Sequence, residues 1–411
     1  MKKIILFFLC SLFILQSSFA DDRPFNKRVF DFTVETPLNV SNNLIGIEDI
    51  FQEKIVIDFT KIADNMSDDG FSVIANANPK ISLGLDIPNG LVFKLNTGVD
   101  VFSTVGIGKD LFDFLGHGNT INEDININVN GNADVFFYLG LDVGWNTKKF
   151  SLVVSPSLYA TLFHASLDKS SVVISNSVTG DFSYTMNANL SMYSDYLTFF
   201  RPDFDVMELL EIDYLGILDN AGLDVTVSAS YDLYRYLTIY GSTRIPVIPS
   251  KITKKMEMTA SSTMTTSLVE ISGGTMPSPT FDFQKGNIED AEISINRPLK
   301  INLYGKFHPF DGVMDYYGGI GIGIEHPFAG DGLEADFYFD YMLGLRVGFW
   351  NVLNIYLTTQ RLDLIYSHKL ELNMNFRILE LSIGVSADSS SFLQSFRGAG
   401  LGAYIKVATG F

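Results

Sequence analysis

Residues 333–349 read LEADFYFDYMLGLRVGF, and the odd-numbered positions decide what this stretch is. Leu333, Ala335, Phe337, Phe339, Tyr341, Leu343, Leu345, Val347 and Phe349 are apolar or aromatic, whereas the even positions include Asp336, Asp340, Gly344, Arg346 and Gly348. A strand sends successive side chains to opposite faces, so this one has a greasy face and a polar or small face. It runs well past the ~5 to 6 residues of an ordinary globular strand. It covers the ~9 to 11 tilted residues that a strand needs to cross a bilayer.

The same alternation recurs from about residue 71 to the end. Leu370, Leu372, Met374 and Phe376 alternate with Lys369, Glu371, Asn373 and Asn375, and Leu379, Leu381, Ile383 and Val385 alternate with Glu380, Ser382, Gly384 and Ser386. Stretches 133–145, 150–162, 223–233, 299–307 and 316–326 follow suit. A soluble sandwich or solenoid would also alternate, but its strands would be shorter, and no fixed solenoid period is present. The expected fold is all-β, a transmembrane antiparallel barrel of roughly 14 to 18 strands, the even number being the rule for such barrels.

Composition agrees. Charged residues make up 18% of the 411 residues and mean hydropathy is +0.18, so there is much apolar surface to place. After residue 20 no apolar run is long enough for a membrane helix, and lipid then admits only a closed barrel. Lys2 and Lys3, the apolar run 4–15 and Ser18-Phe19-Ala20 read as a signal peptide over 1–20 cleaved after Ala20, which implies export to a bacterial outer membrane. Cys10 is the only cysteine and lies in that segment, so disulfides, thiolate metal sites and a cysteine nucleophile are excluded from the exported chain. A net charge of −18 argues against nucleic-acid partners.

Loop lengths supply an orientation. Turns at 88–90, 146–149, 350–351 and 377–378 are short, and 327–332 and 388–398 are long, with 362–367 expected on the long side. Trp145 and Trp350, the only tryptophans, end strands at short turns, where an interfacial aromatic belt belongs. The barrel is expected over 71–411. Residues 21–70 differ: Ile47, Ile50, Phe51, Phe59, Ile62 and Met66 have helical spacing and suit an N-terminal plug with short helices, or an external loop after a strand near 28–35. If a plug forms, those six side chains line an apolar cavity that binds a small hydrophobic ligand. Further short helices are expected at 109–115 and 205–211, and polar hairpin arms over 251–269.

At the C-terminus Phe411 caps a row containing Ala403, Ile405 and Val407. This row resembles the terminal-strand signal read by the barrel-assembly machinery, which the resemblance makes a partner beside outer-membrane lipid. Arg23-Pro24-Phe25, Val40-Ser41-Asn42-Asn43, residues 55–59 and residues 109–116 look like an uncharacterised family of bacterial outer-membrane barrels. The last strands resemble, by topology over about the final third, long-chain fatty-acid transporters of the FadL type. Where that family's hatch offers Asn-Pro-Ala, this chain has Asn78-Pro79-Lys80, placed later. The resemblance implies passage or binding of fatty-acid-like molecules.

Motifs for other chemistry are thin. His117, His164, His308, His326 and His368 show no metal-ligand spacing, and residues 117–134 lack the acidic spacing of a calcium loop, so neither metal nor cofactor is expected. His164 and Ser166 share a strand face with Asn176 one hairpin later, which looks like the base, nucleophile and orienting residue of outer-membrane phospholipases. Polar residues at a strand end explain the same pattern. The leading expectation is passage of small hydrophobic molecules; a structural or surface-interaction barrel comes second and a lipid hydrolase third.

Overall fold

The computed structural model describes residues 29–46, 58–87, 90–118, 121–167, 169–197, 216, 219–267, 278–310, 312–328, 333, 335–350, 352–376 and 378–411. The expected signal peptide, the 205–211 helix, and Ile47, Ile50 and Phe51 lie outside these residues. Along the chain run β1 (Phe30–Asn42), β2 (Phe71–Ala77), β3 (Lys80–Asp86), β4 (Leu91–Ile107), β5 (Ile125–Asn146), β6 (Phe150–Leu167), β7 (Ser170–Asn176), β8 (Asp181–Tyr193), β9 (Gly222–Tyr234) and β10 (Leu237–Ile248). There follow β11 (Ser250–Ser267), β12 (Thr280–Ile295), β13 (Leu299–Phe310), β14 (Met314–Glu325), β15 (Asp336–Phe349), β16 (Leu353–Leu362), β17 (Ile365–Asn375), β18 (Leu379–Ser389) and β19 (Gly400–Gly410). Helices α1 (Phe59–Asn65), α2 (Asp110–His117) and α3 (Phe392–Ser395) lie in the connections.

These strands form one antiparallel sheet that closes where β19 meets β1, from Asp31↔Gly410 to Ser41↔Gly400. The longest closed circuit takes sixteen strands and leaves β2, β11 and β12 outside it. By register β2 and β3 are one strand: Leu38↔Ala77 and Glu35↔Lys80 keep the same offset on one side, as do Val101↔Ala77 and Gly98↔Lys80 on the other. Pro79 interrupts the ladder because it has no N–H, yet its carbonyl accepts from Val99 N at 2.8 Å. The wall passes through Asn78-Pro79 without a slip. Strand β7 takes the place of β6 beside β5 only at Ile125–Val129, and β8 takes the place of β9 beside β6 only at His164–Leu167, so the lower wall, in which β5, β6 and β9 pair in turn, has fourteen strands.

The two faces invert the pattern of a soluble protein. Phe337, Phe339, Leu343, Ile301, Leu303, Ile320, Ile383 and Val385 are exposed on the outside, while Asp315, Asp340, Lys306, Asn354, Asn373 and Glu380 are buried inside. Exposed apolar rows need lipid, and a polar interior is what a membrane barrel encloses. Inside, Asp315 pairs with Arg346 at 2.6 Å and with Lys306 at 3.6 Å, and Lys406 pairs with Glu380 at 3.2 Å. One rim carries connections of two to four residues and both ends of the described chain. Trp350, 88% exposed, stands at that rim with Trp145, Tyr234, Tyr236 and Phe411, an aromatic girdle at the interface.

Three expectations are corrected. The barrel begins at Phe30, not at residue 71, because Phe32 and Val40 are exposed on one face of β1 and Thr33, Glu35 and Ser41 are buried on the other. The remainder of the proposed plug, as far as it is described, is α1 on the opposite rim. Asp58 caps α1 by accepting from Lys61 N at 3.1 Å, and Thr60 Oγ1 donates to Gly116 O of α2 at 2.9 Å. Phe112 of α2 packs edge-on against Phe71, whose row continues through the outward Ile81, Leu83 and Leu85, so the helix pair flanks the wall. Finally, β16 and β17 are joined by Asp363-Leu364 alone, not by a longer loop.

Candidate functional site in the barrel lumen

Between β12 and β13 only Asn296, Arg297 and Pro298 connect an external hairpin to the wall, and this strap crosses the lumen mouth. Arg297 is 5% exposed. Its Nε donates to Asp100 Oδ2 of β4 at 3.0 Å, Nη2 donates to the same oxygen, and Nη1 donates to Asp224 Oδ2 of β9 at 2.6 Å. The guanidinium also lies 4.6 Å from the Tyr138 ring centroid and 5.9 Å from that of Tyr159. A buried guanidinium is tolerable only when its charge and donors are met in this way. Ile252, Ile293 and Ile295 at the hairpin base pack on Phe136, Tyr138 and Tyr159 of the inward face, so the mouth is closed by an apolar layer over an ionic one.

A second closure comes from the β16–β17 turn. Asp363 and Leu364 both have positive φ, +48° and +70°, the conformation of a tight two-residue hairpin that matches strand twist. The turn tucks inward. Asp363 accepts from Tyr338 Oη at 2.9 Å and from Lys300 Nζ, its N–H donates to Asp340 Oδ1 at 3.2 Å, and its carbonyl accepts from Asn76 Nδ2 at 3.2 Å across the lumen.

The turn borders a cavity of about 150 Å³. Pro37, Phe102, Leu362 and Ile365 supply its apolar wall, and Asn76, Asn78, Arg244, Lys300, Lys369 and Tyr404 its polar one. Arg244 donates from Nε to Pro298 O at 3.0 Å, but its buried Nη2 has no hydrogen-bond partner. The volume suits a ring-sized molecule, and the lining suits an apolar body with a polar head.

At the same mouth, across from the turn, a third constellation joins three strands. His164 Nδ1 bonds Asp134 Oδ1 at 2.7 Å, His326 Nε2 stands 3.6 Å from Asp134 Oδ2, and the two imidazoles meet edge to face at 6.1 Å. Burial, and His164 beside it, hold the His326 imidazole below its ordinary range against the pull of Asp134. This group lies above the lipid belt: β9 begins at Gly222 opposite Tyr159, and beyond that level β6 pairs with β8.

Solved membrane barrels align with almost the whole chain, at low identity. The P. putida toluene transporter TodX matches over 96% of this chain and 95% of its own at 7% identity and a TM-score of 0.44. A Pseudomonas aeruginosa FadL homologue covers 98% and 95% at 11% and 0.45, and the translocator domain of the Neisseria meningitidis autotransporter NalP covers 95% and 90% at 7% and 0.36. The resemblance is a distant one. No family model and no curated protein matches the sequence.

Of the six residues expected to line a cavity, Ile47, Ile50 and Phe51 lie outside the described residues, and Phe59, Ile62 and Met66 are not among those that border this one. Phe59, Ile62 and Met66 are half-buried on or beside α1, and the cavity's actual lining comes from inward positions of strands spread over the whole chain. Ala403 and Val407 stand exposed on β19 and Ile405 is half-buried in the same row, with Phe411 stacked on Phe30 at 5.6 Å. Of the phospholipase-like trio, His164 is oriented by Asp134, and Asn176 lies at the far end of β7, paired with Phe182. The signal the sequence did hold was the inward charge on otherwise regular strands, Asp100, Asp134, Asp224 and Lys300. Which of them meet is set by barrel closure, which no local spacing encodes.

Proposed function

We propose that this chain is an outer-membrane barrel that takes small, largely apolar molecules with a polar head into its lumen and passes them inward. The observation that carries this reading is the lumen cavity beneath a mouth closed by ion pairs. An always-open pore has no such closure, and a solid structural barrel no such cavity. Arg244, Lys300 and the asparagines would hold the head group while Phe102, Leu362 and Ile365 enclose the body. Displacement of a fluorescent apolar probe from the detergent-solubilised chain by toluene and by short-chain acids is the direct test, with Leu362→Asp expected to weaken it at least tenfold. Absence of displacement, together with unchanged uptake in a deletion strain, would retire the transport reading.

The runner-up, a surface-interaction barrel, has its own support. β12 pairs only with β11, and its Phe281 and Phe283 are exposed, Phe281 at 67%. Retained cell-surface binding with no ligand uptake would favour it. Insertion through the assembly machinery is part of either proposal. Deleting Phe411 should lower outer-membrane levels and raise periplasmic degradation, and equal insertion of the shortened chain would remove the assembly role.

A further inference from the structure

Beside the Asp134–His326 pair lies a second, much smaller void of about 10 Å³. Asp134, Glu325 and His326 border it from β5 and the end of β14, and Asn296 and Pro298 border it from the strap. The void is the size of one water or one ion. His326 is 7% exposed, and neither ring nitrogen has a hydrogen-bond partner. A buried imidazole with both nitrogens unmet is costly unless something absent from the protein itself meets one of them.

We propose that Asp134, Glu325 and His326 form a binding site for a zinc-class divalent cation that ties the strap's seat to the barrel wall. The separation between Asp134 Oδ2 and His326 Nε2, 3.6 Å, is close to what two ligands of one tetrahedral zinc show when each stands roughly 2.0–2.2 Å from the ion. The donor set, an imidazole with carboxylates, suits zinc better than calcium or magnesium, which take oxygen ligands. His164 already braces the other oxygen of Asp134, the outer-sphere support that fixes a ligating carboxylate. Charge points the same way: Asp134, Asp363 and Asp336 act on Glu325 with like charge, and Lys300, which offsets them in part, is itself paired with Asp363. Among the described residues no three such side chains already stand gathered at coordination distance. Asp134 and His326 provide two ligand atoms as placed, and Glu325, on the border of the same void, supplies the third by rotation about its side-chain bonds.

The full chain, purified without a histidine tag and stripped with EDTA, is titrated with zinc sulfate and assayed by elemental analysis after dialysis. Stoichiometric zinc is expected, with cobalt giving the absorption bands of a tetrahedral site. His326→Gln and Asp134→Asn should each weaken binding at least about tenfold. His117→Gln, in the exposed pair with Asp64, should leave it unchanged. Should His326→Gln lose the heat-modifiable gel mobility of a folded barrel, Glu325→Gln replaces it. Zinc retention by wild type no greater than by the folded variants, or cobalt spectra without tetrahedral bands, overturns the proposal.

Discussion

The lower wall and the closed mouth of this barrel are built from the same residue types by opposite rules. In the wall, charge is inward because lipid forbids it outward, and each strand could be exchanged for its neighbour without changing the argument. At the mouth, identity matters: Arg297 is useful only because Asp100 and Asp224, distant in sequence, converge on it. The wall is therefore specified by a period and the mouth by particular meetings. Redundancy protects the first and nothing protects the second.

The largest expected effect tests that vulnerability. Arg297→Met leaves Asp224 buried without its cation and Asp100 with only the longer contact to Arg244, 3.7 Å, at a cost of about 3 to 5 kcal/mol concentrated at the mouth. Planar-bilayer recordings should show conductance where wild type shows little, with the barrel still heat-modifiable on gels. An unchanged closed state would mean that the apolar layer of Ile252, Ile293 and Ile295 seals the mouth alone. Next comes a charge placed on the outer face. Leu343→Arg, in the lipid-facing row, should destabilise by about 2 to 4 kcal/mol. Phe283→Arg, on the exposed arm, should stay within about 0.5 kcal/mol. Urea titration in lipid vesicles measures both, and equal effects would dissolve the distinction between wall and arm.

Legibility in the sequence follows the same division. The segment 333–349 announces its faces because a strand's alternation is local, and the alternation of β17, β18 and β19 is equally plain. The first strand was legible only near 28–35 and as one of two readings, because Thr36 and Pro37 sit at its middle and dilute the pattern, although Phe32, Val34, Leu38 and Val40 keep the period to Asn42. The two-residue turn at Asp363-Leu364 was hidden by its residues: a leucine at positive φ is not a turn signal, and glycine or asparagine would have been. The lumen cavity was illegible in principle, since its lining is drawn from strands scattered between Pro37 and Tyr404.

That leucine offers a smaller test. Leu364→Gly relieves a left-handed backbone conformation and should stabilise the folded barrel by about 1 kcal/mol if the turn keeps its inward seat. Loss of stability in the same titration would show that the leucine side chain holds the turn in place. The smallest expected effect is on the arm, where exposed pairs Lys251–Glu292 and Lys254–Asp290 link β11 to β12. Their lysines hold Glu292 and Asp290 below the usual carboxylate range. A depressed folded value means that the contribution is complete above the ordinary range near ~4 and disappears as pH falls through the depressed value. Amide exchange in β12, compared with exchange in β15, should quicken on acidification in that window and in high salt. Equal response of both strands would assign the change to the whole barrel.

The seam between β1 and β19 has a kinetic corollary. The first wall strand can find its second neighbour only when the last residues of the chain exist, because Asp31 pairs with Gly410. Until then every nascent length carries two raw edges, and emergence of the chain in order gives no head start to closure. Ring closure over so long a contour adds little entropy beyond a shorter one, since each doubling contributes only about 0.6 kcal/mol. The delay is one of timing rather than of energy. A truncated product, however nearly complete, is an open sheet with adhesive margins.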